Sequence, residues 1–444
     1  MFKQYLYPMP NNIKNQEDIL EKLKIQKLNP MQEEALTAID ASSDIVLLSP
    51  TGTGKTLAYL LPIIGKLDAE SDEIQVLILV PSRELALQIE QVIREMGSGY
   101  KTNAVYGGRA GYQDKMDLKH NPTILIGTPG RVADLLRRKV FSTEFIRTLI
   151  LDEFDKSLEI GFETEMSEII AVLPNIEKRI LTSATKATEI PAFVGLNHPV
   201  CIDYSGEKIS QLKIRTVVSP TKDKLETLVK TLNHIGNQPG IVFCNFKETI
   251  QEVSDHLTAK NIHHGCFFGG MEQIDRERTL IKFRNGTHQL IVATDLAARG
   301  LDIPELKFII HFQLPPRSQE FTHRNGRTAR MNSEGTAYIL KWEKEELPDF
   351  IENTKIEQIK DAPTPEAPIW KTLYITGGRR DKISKGDLAG LFLKQGGLSK
   401  EQLGIIEVKQ DCSYVAVHAS KMDVLIKTIN NSKLKTKKIR VSEV

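Results

Sequence analysis

Short, continuously apolar runs rich in β-branched residues recur along this chain at 45–49, 76–80, 123–126, 149–151 and 180–182, and again at 240–244, 289–293 and 308–311. Longer segments of helical periodicity separate them. A strand that is apolar on both faces has to be covered on both faces, and helices that alternate with such strands do the covering, so α/β architecture built on parallel sheets is expected. The pattern occurs twice, and 444 residues exceed what one hydrophobic core serves. Residues 204–210, with Ser and Gly among polar neighbours, mark the joint between the two sheets. A second joint lies at 361–368, which reads D-A-P-T-P-E-A-P: its three prolines prevent a helix and favour an extended spacer. The expected organisation is a first α/β domain over 1–204, a second over 211–345, a linker over 346–369 and a small domain over 370–444.

Charge is distributed unevenly. From Lys371 to the end there are 15 Lys and Arg against 7 Asp and Glu, a net of +8; the remaining 44 and 50 give −6 for the rest, although the whole chain carries only +2. A basic terminal module on a mildly acidic body is the footprint of a polyanion-binding appendage. Its apolar and polar runs alternate as strand 372–376, helix 385–394, strands 404–409 and 413–417, helix 421–430 and strand 438–441. That β-α-β-β-α-β order is the split βαβ arrangement of RRM-like modules, and Tyr374 and Tyr414 are its candidates for stacking on bases.

Chemistry begins at residues 49–56, S-P-T-G-T-G-K-T, directly after one apolar run and before the apolar helix 57–64. Gly52 and Gly54 let the backbone of Thr51, Thr53 and their neighbours curl closely enough for successive N–H groups to surround phosphate oxygens, and the helix start behind them adds a favourable dipole. Lys55 would reach the β and γ phosphates of a nucleotide and the Thr56 hydroxyl would ligate Mg²⁺. Ser49 stands where the usual pattern has its first glycine. A phosphate loop requires an acidic partner for the metal, and L-I-L-D-E-F-D at 149–155 supplies one at the end of a later strand. Asp152 would hold Mg²⁺ through water, and Glu153 is placed to orient and deprotonate the attacking water.

These residues, in this order, resemble the DEAD-box RNA helicase family over nearly all of 7–330. The namesake tetrapeptide is Asp152-Glu153-Phe154-Asp155, with phenylalanine in place of alanine. P-S-R-E-L-A at 81–86, Gly107 with Gly108, and Thr128-Pro129-Gly130-Arg131 look like the family's RNA-backbone contacts in its first domain; S-A-T at 183–185 looks like the element linking ATP state to strand separation. Q-I-D-R at 273–276, A-T-D-L-A-A-R-G-L-D at 293–302 and H-R-N-G-R-T-A-R at 323–330 match the motifs of the second domain. The resemblance implies two tandem RecA-like domains that use ATP and Mg²⁺ and act on RNA. It implies coupling roles for Asp155, Ser183, Thr185 and His323, a ribose contact for Asp302, and a strand path along Pro81, Arg83, Gly107, Gly108, Thr128, Pro129, Gly130, Arg131, Gln273, Arg276, Thr294 and Arg299. Gln32 has the amide donor and acceptor that pair in bidentate fashion with adenine N6 and N7. Tyr7 lies at about the family's spacing for the aromatic that stacks on that base, with Phe2 and Tyr5 close by. Arg327 and Arg330, three apart, share one face if their segment is helical, and would serve as arginine fingers on the γ-phosphate.

The tail resembles the RNA-binding domain of the DbpA-type bacterial helicases, through 373–383, Gly386-Asp387 and 414–417. That likeness implies recognition of a hairpin of the large-subunit ribosomal RNA, a role in ribosome assembly, and RNA contacts by Arg379, Arg380 and Lys382. An ATP-gated RNA clamp with little unwinding would be built from the same motifs. The four cysteines are widely spaced, with no C-x-x-C pair, and no apolar stretch is long enough to span a bilayer, so a monomeric cytoplasmic protein with no membrane partner is expected.

Overall fold

The computed structural model describes residues 14–50, 52–108, 111–184, 186, 189–206, 212–295, 306–329, 334–351 and 354–444. Asp44–Leu48 (β1), Val76–Leu79 (β2), Thr102–Val105 (β3), Ile124–Gly127 (β4), Thr148–Leu151 (β5), Lys178–Ser183 (β6) and Val200–Asp203 (β7) form one sheet in the order β3-β4-β2-β5-β6-β1-β7. Its pairings are parallel. Successive residues of a strand point to opposite faces, and the sheet uses both. Ile45, Leu47, Ile78, Ile126, Ile150 and Ile180 enter the core on one side. Val46, Leu48, Leu77, Leu125, Leu149 and Leu181 enter the core on the other.

A second sheet repeats the plan. Leu212–Ser219 (β8), Gly240–Phe243 (β9), Gly265–Phe267 (β10), Leu290–Ala293 (β11), Phe308–His311 (β12), Gly335–Trp342 (β13) and Lys355–Ile356 (β14) run β10-β11-β9-β12-β13-β8-β14, again in parallel. Replacing each strand by its counterpart seven places earlier gives the first order, so the two sheets share one topology. The two sheets belong to two separate compact units.

The second unit also carries the C-terminal domain. Trp370–Ile375 (β15), Leu403–Val408 (β16) and Ser413–His418 (β17) precede a small hairpin of Lys433–Leu434 (β18) and Lys437–Lys438 (β19), and Val441–Glu443 (β20) completes an antiparallel sheet β16-β17-β15-β20. One face of that sheet packs Leu373, Ile375, Val415 and Val417 against Leu388, Phe392, Leu425 and Ile429 from the helical side. The β-α-β-β-α-β order holds, but the expected strand 438–441 is split. Ile439 turns inward and is fully buried, so the chain closes the hairpin before it and begins β20 after it.

The proline spacer is not a free tether. Lys355–Ile356 pair with β8, the Glu357 amide donates to the Thr216 carbonyl at 2.8 Å, and the Lys360 amide donates to His234 Nδ1 at 3.1 Å. Pro365 and Pro368 then line a cavity together with Leu232, Leu290 and Phe308. Prolines that cannot enter a helix still pack as extended chain on an apolar surface.

Candidate functional site

In the first unit the phosphate loop is held closed by its own side chains. Gly52 and Gly54 adopt φ of +89° and +87°, open to glycine at no steric cost. A side chain at 54 would also meet Gln32 Nε2 at 2.5 Å. Ser49, in place of the usual glycine, donates from its hydroxyl to Thr53 Oγ1 at 2.8 Å, and Thr53 Oγ1 donates to the Pro50 carbonyl at 2.9 Å. Lys55 opens the helix Lys55–Ile64, is nine-tenths buried, and lays its ammonium across the loop onto the carbonyls of Ser49 (2.6 Å) and Pro50 (3.0 Å). Thr51 lies outside the described residues.

Gln32 sits beside this loop. Asn29 caps the helix Pro30–Ala41, its side chain accepting from the Gln32 amide at 2.9 Å while Gln32 Oε1 accepts from the Asn29 amide at 3.0 Å. Gln32 Nε2 donates to the Gly54 carbonyl at 3.3 Å and Asn29 Nδ2 to the Thr53 carbonyl at 3.0 Å, so the cap and the loop are one structure. The amide keeps a second hydrogen and a second lone pair, which bidentate adenine pairing requires. Tyr7 falls outside the described residues.

Asp152, at the end of β5, is 3% exposed. Its Oδ2 accepts from Tyr59 Oη at 2.8 Å, and its Oδ1 accepts from the Thr182 hydroxyl and from the Glu153 amide at 3.0 Å. Tyr59 is fully buried; burial first, and the Asp152 charge second, hold its phenol well above its ordinary pKa, while a hydrogen bond from Thr56 works the other way. Tyr59 therefore links the two groups expected to hold a metal. The sequence reading passed over both Tyr59 and Thr182. Tyr59 lies four residues after Lys55, on the same face of the helix, and Thr182 directly precedes Ser183 on β6. Glu153 adopts φ 48° and ψ 49°, a conformation rare for a non-glycine residue, with its amide also donating to Thr182 Oγ1 at 3.2 Å. Phe154 is 1% exposed and packs in the core under β5, so the departure from alanine is a packing change. Asp155 is 9% exposed beside the buried Lys156, whose ammonium pairs with Glu159 at 2.7 Å. Ser183 joins this centre to the phosphate loop, its carbonyl accepting from the Ser49 amide at 3.0 Å. Thr185 is outside the described residues.

Elsewhere in the same unit, Pro81 follows β2 and Arg83 opens the helix Arg83–Met96, with its guanidinium lying against Gly107 and Gly108. Gly108 has φ +86°, and a Cβ there would meet Arg83 Nη1 at 2.5 Å. Thr128 caps the helix Pro129–Arg137, which carries Gly130 and Arg131 in its first turn. Arg131 is held in ion pairs with the buried Asp114 (2.6 Å) and with Asp134 (2.8 Å).

In the second unit, Gln273 begins the helix Gln273–Arg284, and the Arg276 guanidinium lies over the Phe267 ring, 4.8 Å from its centroid. The Thr294 amide donates to the Phe267 carbonyl at 3.2 Å, which brings all three expected contacts to the ends of β10 and β11. Arg299 and Asp302 are outside the described residues. The helix Ser318–Asn325 presents His323 and Arg324. Arg324, 1% exposed, binds both oxygens of Asp295, the Gln313 carbonyl (2.6 Å) and Asn245 Oδ1 (2.7 Å), with its guanidinium over Phe243. The helix ends at Asn325 with Gly326 as its cap, so Arg327 follows it outside the helix, and Ala329 takes φ +55°. Arg327 is 5% exposed, and Arg330 is outside the described residues.

The second sheet carries no phosphate loop of its own. S-P-T recurs at 219–221, at the end of β8, where the topology matches the end of β1, but Lys222, Asp223 and Lys224 follow in place of the glycines. Lys224 is turned inward, donating to the Leu340 carbonyl at 3.0 Å.

In the C-terminal domain, Arg379, Arg380 and Asp381 form a single tight turn, and Lys382 follows at φ 58°. Gly378 makes this turn possible: a Cβ there would lie 2.5 and 2.6 Å from the carbonyls of Gln410 and Lys409. The turn is flanked by Lys435, which donates to the Lys382 carbonyl at 2.6 Å, and by Lys437, paired with Asp381 at 2.8 Å. The β18–β19 hairpin thus adds cations that the sequence reading did not assign. Tyr374 and Tyr414, however, are not an open stacking platform. Tyr414 is 3% exposed and meets Tyr374 edge to face at 5.6 Å, because this face of the sheet is packed against the helix Gln273–Arg284. Among the described residues, no helix is long and apolar enough to cross a membrane.

The chain matches the DEAD/DEAH box helicase family over residues 29–193, the helicase conserved C-terminal domain over 223–332 and the DbpA RNA binding domain over 372–443. It is 31% identical over 436 residues to the ATP-dependent RNA helicase DbpA of Escherichia coli K12, covering 95% of each chain. It is 29% identical over 460 residues to the Bacillus subtilis protein of the same name, covering 96% of each. Among solved structures it resembles Saccharomyces cerevisiae Dbp5 bound to RNA and ADP BeF3 (TM-score 0.67, 25% identity, 76% of this chain and 88% of that one). The helicase Mss116 bound to ssRNA and UDP-BeF is similar too (0.66, 26%, 75% and 74%).

Proposed function

The chain belongs to the DEAD-box ATP-dependent RNA helicases and carries the RNA-binding domain of their DbpA-type members, and from this we propose that it opens short RNA duplexes locally beside a hairpin of the large-subunit ribosomal RNA, acting as a monomer in ribosome assembly. The observation that carries the targeting is the basic turn 379–382 set beside the β18–β19 hairpin, on a domain whose sheet face is already covered. Such a surface meets the phosphates of a folded RNA through cations on a fixed loop.

In this reading Lys55 leaves the Ser49 and Pro50 carbonyls for the β and γ phosphates, with the amides of Thr51, Gly52, Thr53 and Gly54 around them. Gln32 reads adenine, Tyr7 stacks on it and Asp302 meets the ribose. Thr56 and Asp152 would hold magnesium, and the residues fit it: a buried carboxylate partnered by two hydroxyls and an amide suits a cation completed by phosphate oxygens. Magnesium bound there supplies charge neutralisation at the phosphates. Glu153, held off a normal helical start, aims its carboxylate at the attacking water and takes its proton. Arg327 and Arg330 deliver positive charge to the γ-phosphate from the second domain. Asp155, Ser183, Thr185 and His323 couple that event to the strand path along Pro81, Arg83, Gly107, Gly108, Thr128, Pro129, Gly130, Arg131, Gln273, Arg276, Thr294 and Arg299, with Arg131 oriented by its ion pairs to Asp114 and Asp134. Arg379, Arg380 and Lys382 hold the ribosomal hairpin.

Sequencing the RNA crosslinked to the protein in cells tests the target, and recovery without enrichment of large-subunit ribosomal RNA would sink it. A duplex-release assay run beside ATPase turnover tests the mode: turnover without release identifies an ATP-gated clamp instead.

A further inference from the structure

The C-terminal domain is seated on the second ATPase domain by a built interface. The seat is the far end of the helix Gln273–Arg284 and the loop that follows it. Arg284 makes two parallel bonds to Glu407 on β16, Nε to Oε1 at 2.8 Å and Nη2 to Oε2 at 3.0 Å, with both side chains about four-fifths buried. Planar two-point pairing of this kind fixes direction as well as distance. Thr372 on β15 is 1% exposed; its hydroxyl accepts from Asn285 Nδ2 at 3.1 Å and shares a 2.7 Å bond with Thr287. Trp370 closes the seat. Its indole lies between Gly286, where a Cβ would come within 3.3 Å, and Gly404, where one would come within 3.1 Å. A Cβ on either side would crowd the ring, and Gly286 also adopts φ +73°, open to glycine at no steric cost.

These contacts join the two ends of one rigid element. Arg276, in the first turns of the helix, belongs to the strand path; Arg284, at its end, holds the C-terminal domain. Eight residues of α-helix separate them by about 12 Å. The spacer between the domains is itself laid down on the second domain, through β14, Glu357, Lys360 and the prolines that line a cavity with Phe308. A domain on a loose tether would raise only the local concentration of its RNA, tolerating many geometries.

We propose that the Arg284–Glu407 pair, with Thr372 between Asn285 and Thr287 and Trp370 between Gly286 and Gly404, is a specificity-determining seat: it fixes the distance between the RNA structure held by the C-terminal domain and the strand held at Arg276, so that the enzyme selects the spacing of its substrate's parts. This rests on the reading that the C-terminal domain holds a structured RNA beside the duplex.

The test uses the full chain and a large-subunit ribosomal RNA hairpin joined to a short duplex through a series of unpaired uridine gaps of increasing length. Wild type should unwind best at one gap length, with a several-fold decline on either side. Arg284→Glu and Glu407→Arg should each flatten that dependence while leaving ATPase activity on unstructured RNA unchanged, and the double swap should restore a maximum. Separately, dyes on Phe246→Cys and Val424→Cys, both at exposed positions, in a background in which the exposed Cys201 and the partly exposed Cys266 and Cys412 are replaced by Ser, should report one narrow distance with the native seat that broadens in Arg284→Glu. A broad distance distribution in wild type overturns the seat. A narrow distribution with hairpin preference but no dependence on gap length overturns the ruler alone. Wild type that does not distinguish the hairpin from random RNA overturns both the ruler and the targeting reading on which it rests.

Discussion

Asp152 shows how little of a catalytic centre is its named residues. A carboxylate only 3% exposed is costly to bury unless its lone pairs are met, and two hydroxyls and an amide meet them. Tyr59→Phe removes one. The expected result is a loss of about 1–3 kcal/mol in stability of the first domain, since a charged acceptor is left short of a donor, together with a several-fold weaker magnesium dependence of turnover. Unchanged magnesium dependence would reduce Tyr59 to a packing residue. Glu153 makes the complementary case. Glu153→Gln leaves the phosphate loop intact and should keep ATP affinity, while turnover falls by about a hundredfold or more because the amide cannot take a proton from water. The protein should then stay trapped on RNA with ATP bound; undiminished RNA-stimulated turnover would remove Glu153 from its role. The loop and the acidic pair were legible in the sequence because their chemistry is local. Tyr59 and Thr182 were not, because the former acts across 93 residues and the latter across 30.

At the scale of elements, the strands that sequence periodicity revealed are those buried on both faces, such as β1, β2, β9 and β12. Among those it missed, β8 carries Lys213 and Arg215 at alternate positions because one side meets solvent, and β14 is two residues long with both exposed. Burial in the same sheets also produces a pH dependence. His311, on β12, is fully buried against Phe321 and hydrogen-bonded to Asn325, and burial first, then Arg324, pulls its pKa down to about 3; His288 is pulled down to about 4, again mainly by burial. An unfolded imidazole titrates near about 6.5. Between these values the unfolded chain binds the proton and the folded one does not, so this stability is whole above roughly pH 6.5 and is lost as pH falls toward the folded values. At pH 5, His311 alone should remove about 2 kcal/mol. Both tryptophans, Trp342 and Trp370, lie in the second unit, so urea unfolding followed by their fluorescence isolates it. His311→Gln should shrink the difference between pH 7.5 and pH 5; an unaltered difference would mean that the imidazole does not take up a proton on unfolding.

For the whole molecule, the decisive asymmetry is that a chain of net charge +2 keeps a net of +8 in its last 74 residues. Two sheets of identical topology, only the first followed by a phosphate loop, carry the proposed strand contacts, and these are backbone amides and arginines, which would not read bases. On the proposed reading, selection then comes from the third domain. Its Tyr374 and Tyr414 face is committed to the helix Gln273–Arg284, so the proposal assigns RNA contact to the turn 379–382 and the lysines of the β18–β19 hairpin. Recognition by cations must be sensitive to salt: if the domain neutralises about five phosphates, log affinity should fall with log salt at a slope of about −4. Deleting residues 371–444 should therefore leave basal ATPase activity in place, make RNA binding much less steep in salt, and abolish preference for a large-subunit ribosomal fragment over unrelated RNA of the same length. The slope and the preference need to be measured together, because charge alone would give the first without the second. A full-length protein stimulated equally by ribosomal and random RNA at moderate salt, with the steep slope still present, would make the C-terminal domain a general RNA anchor and move the origin of selectivity, if there is any, back to the helicase core.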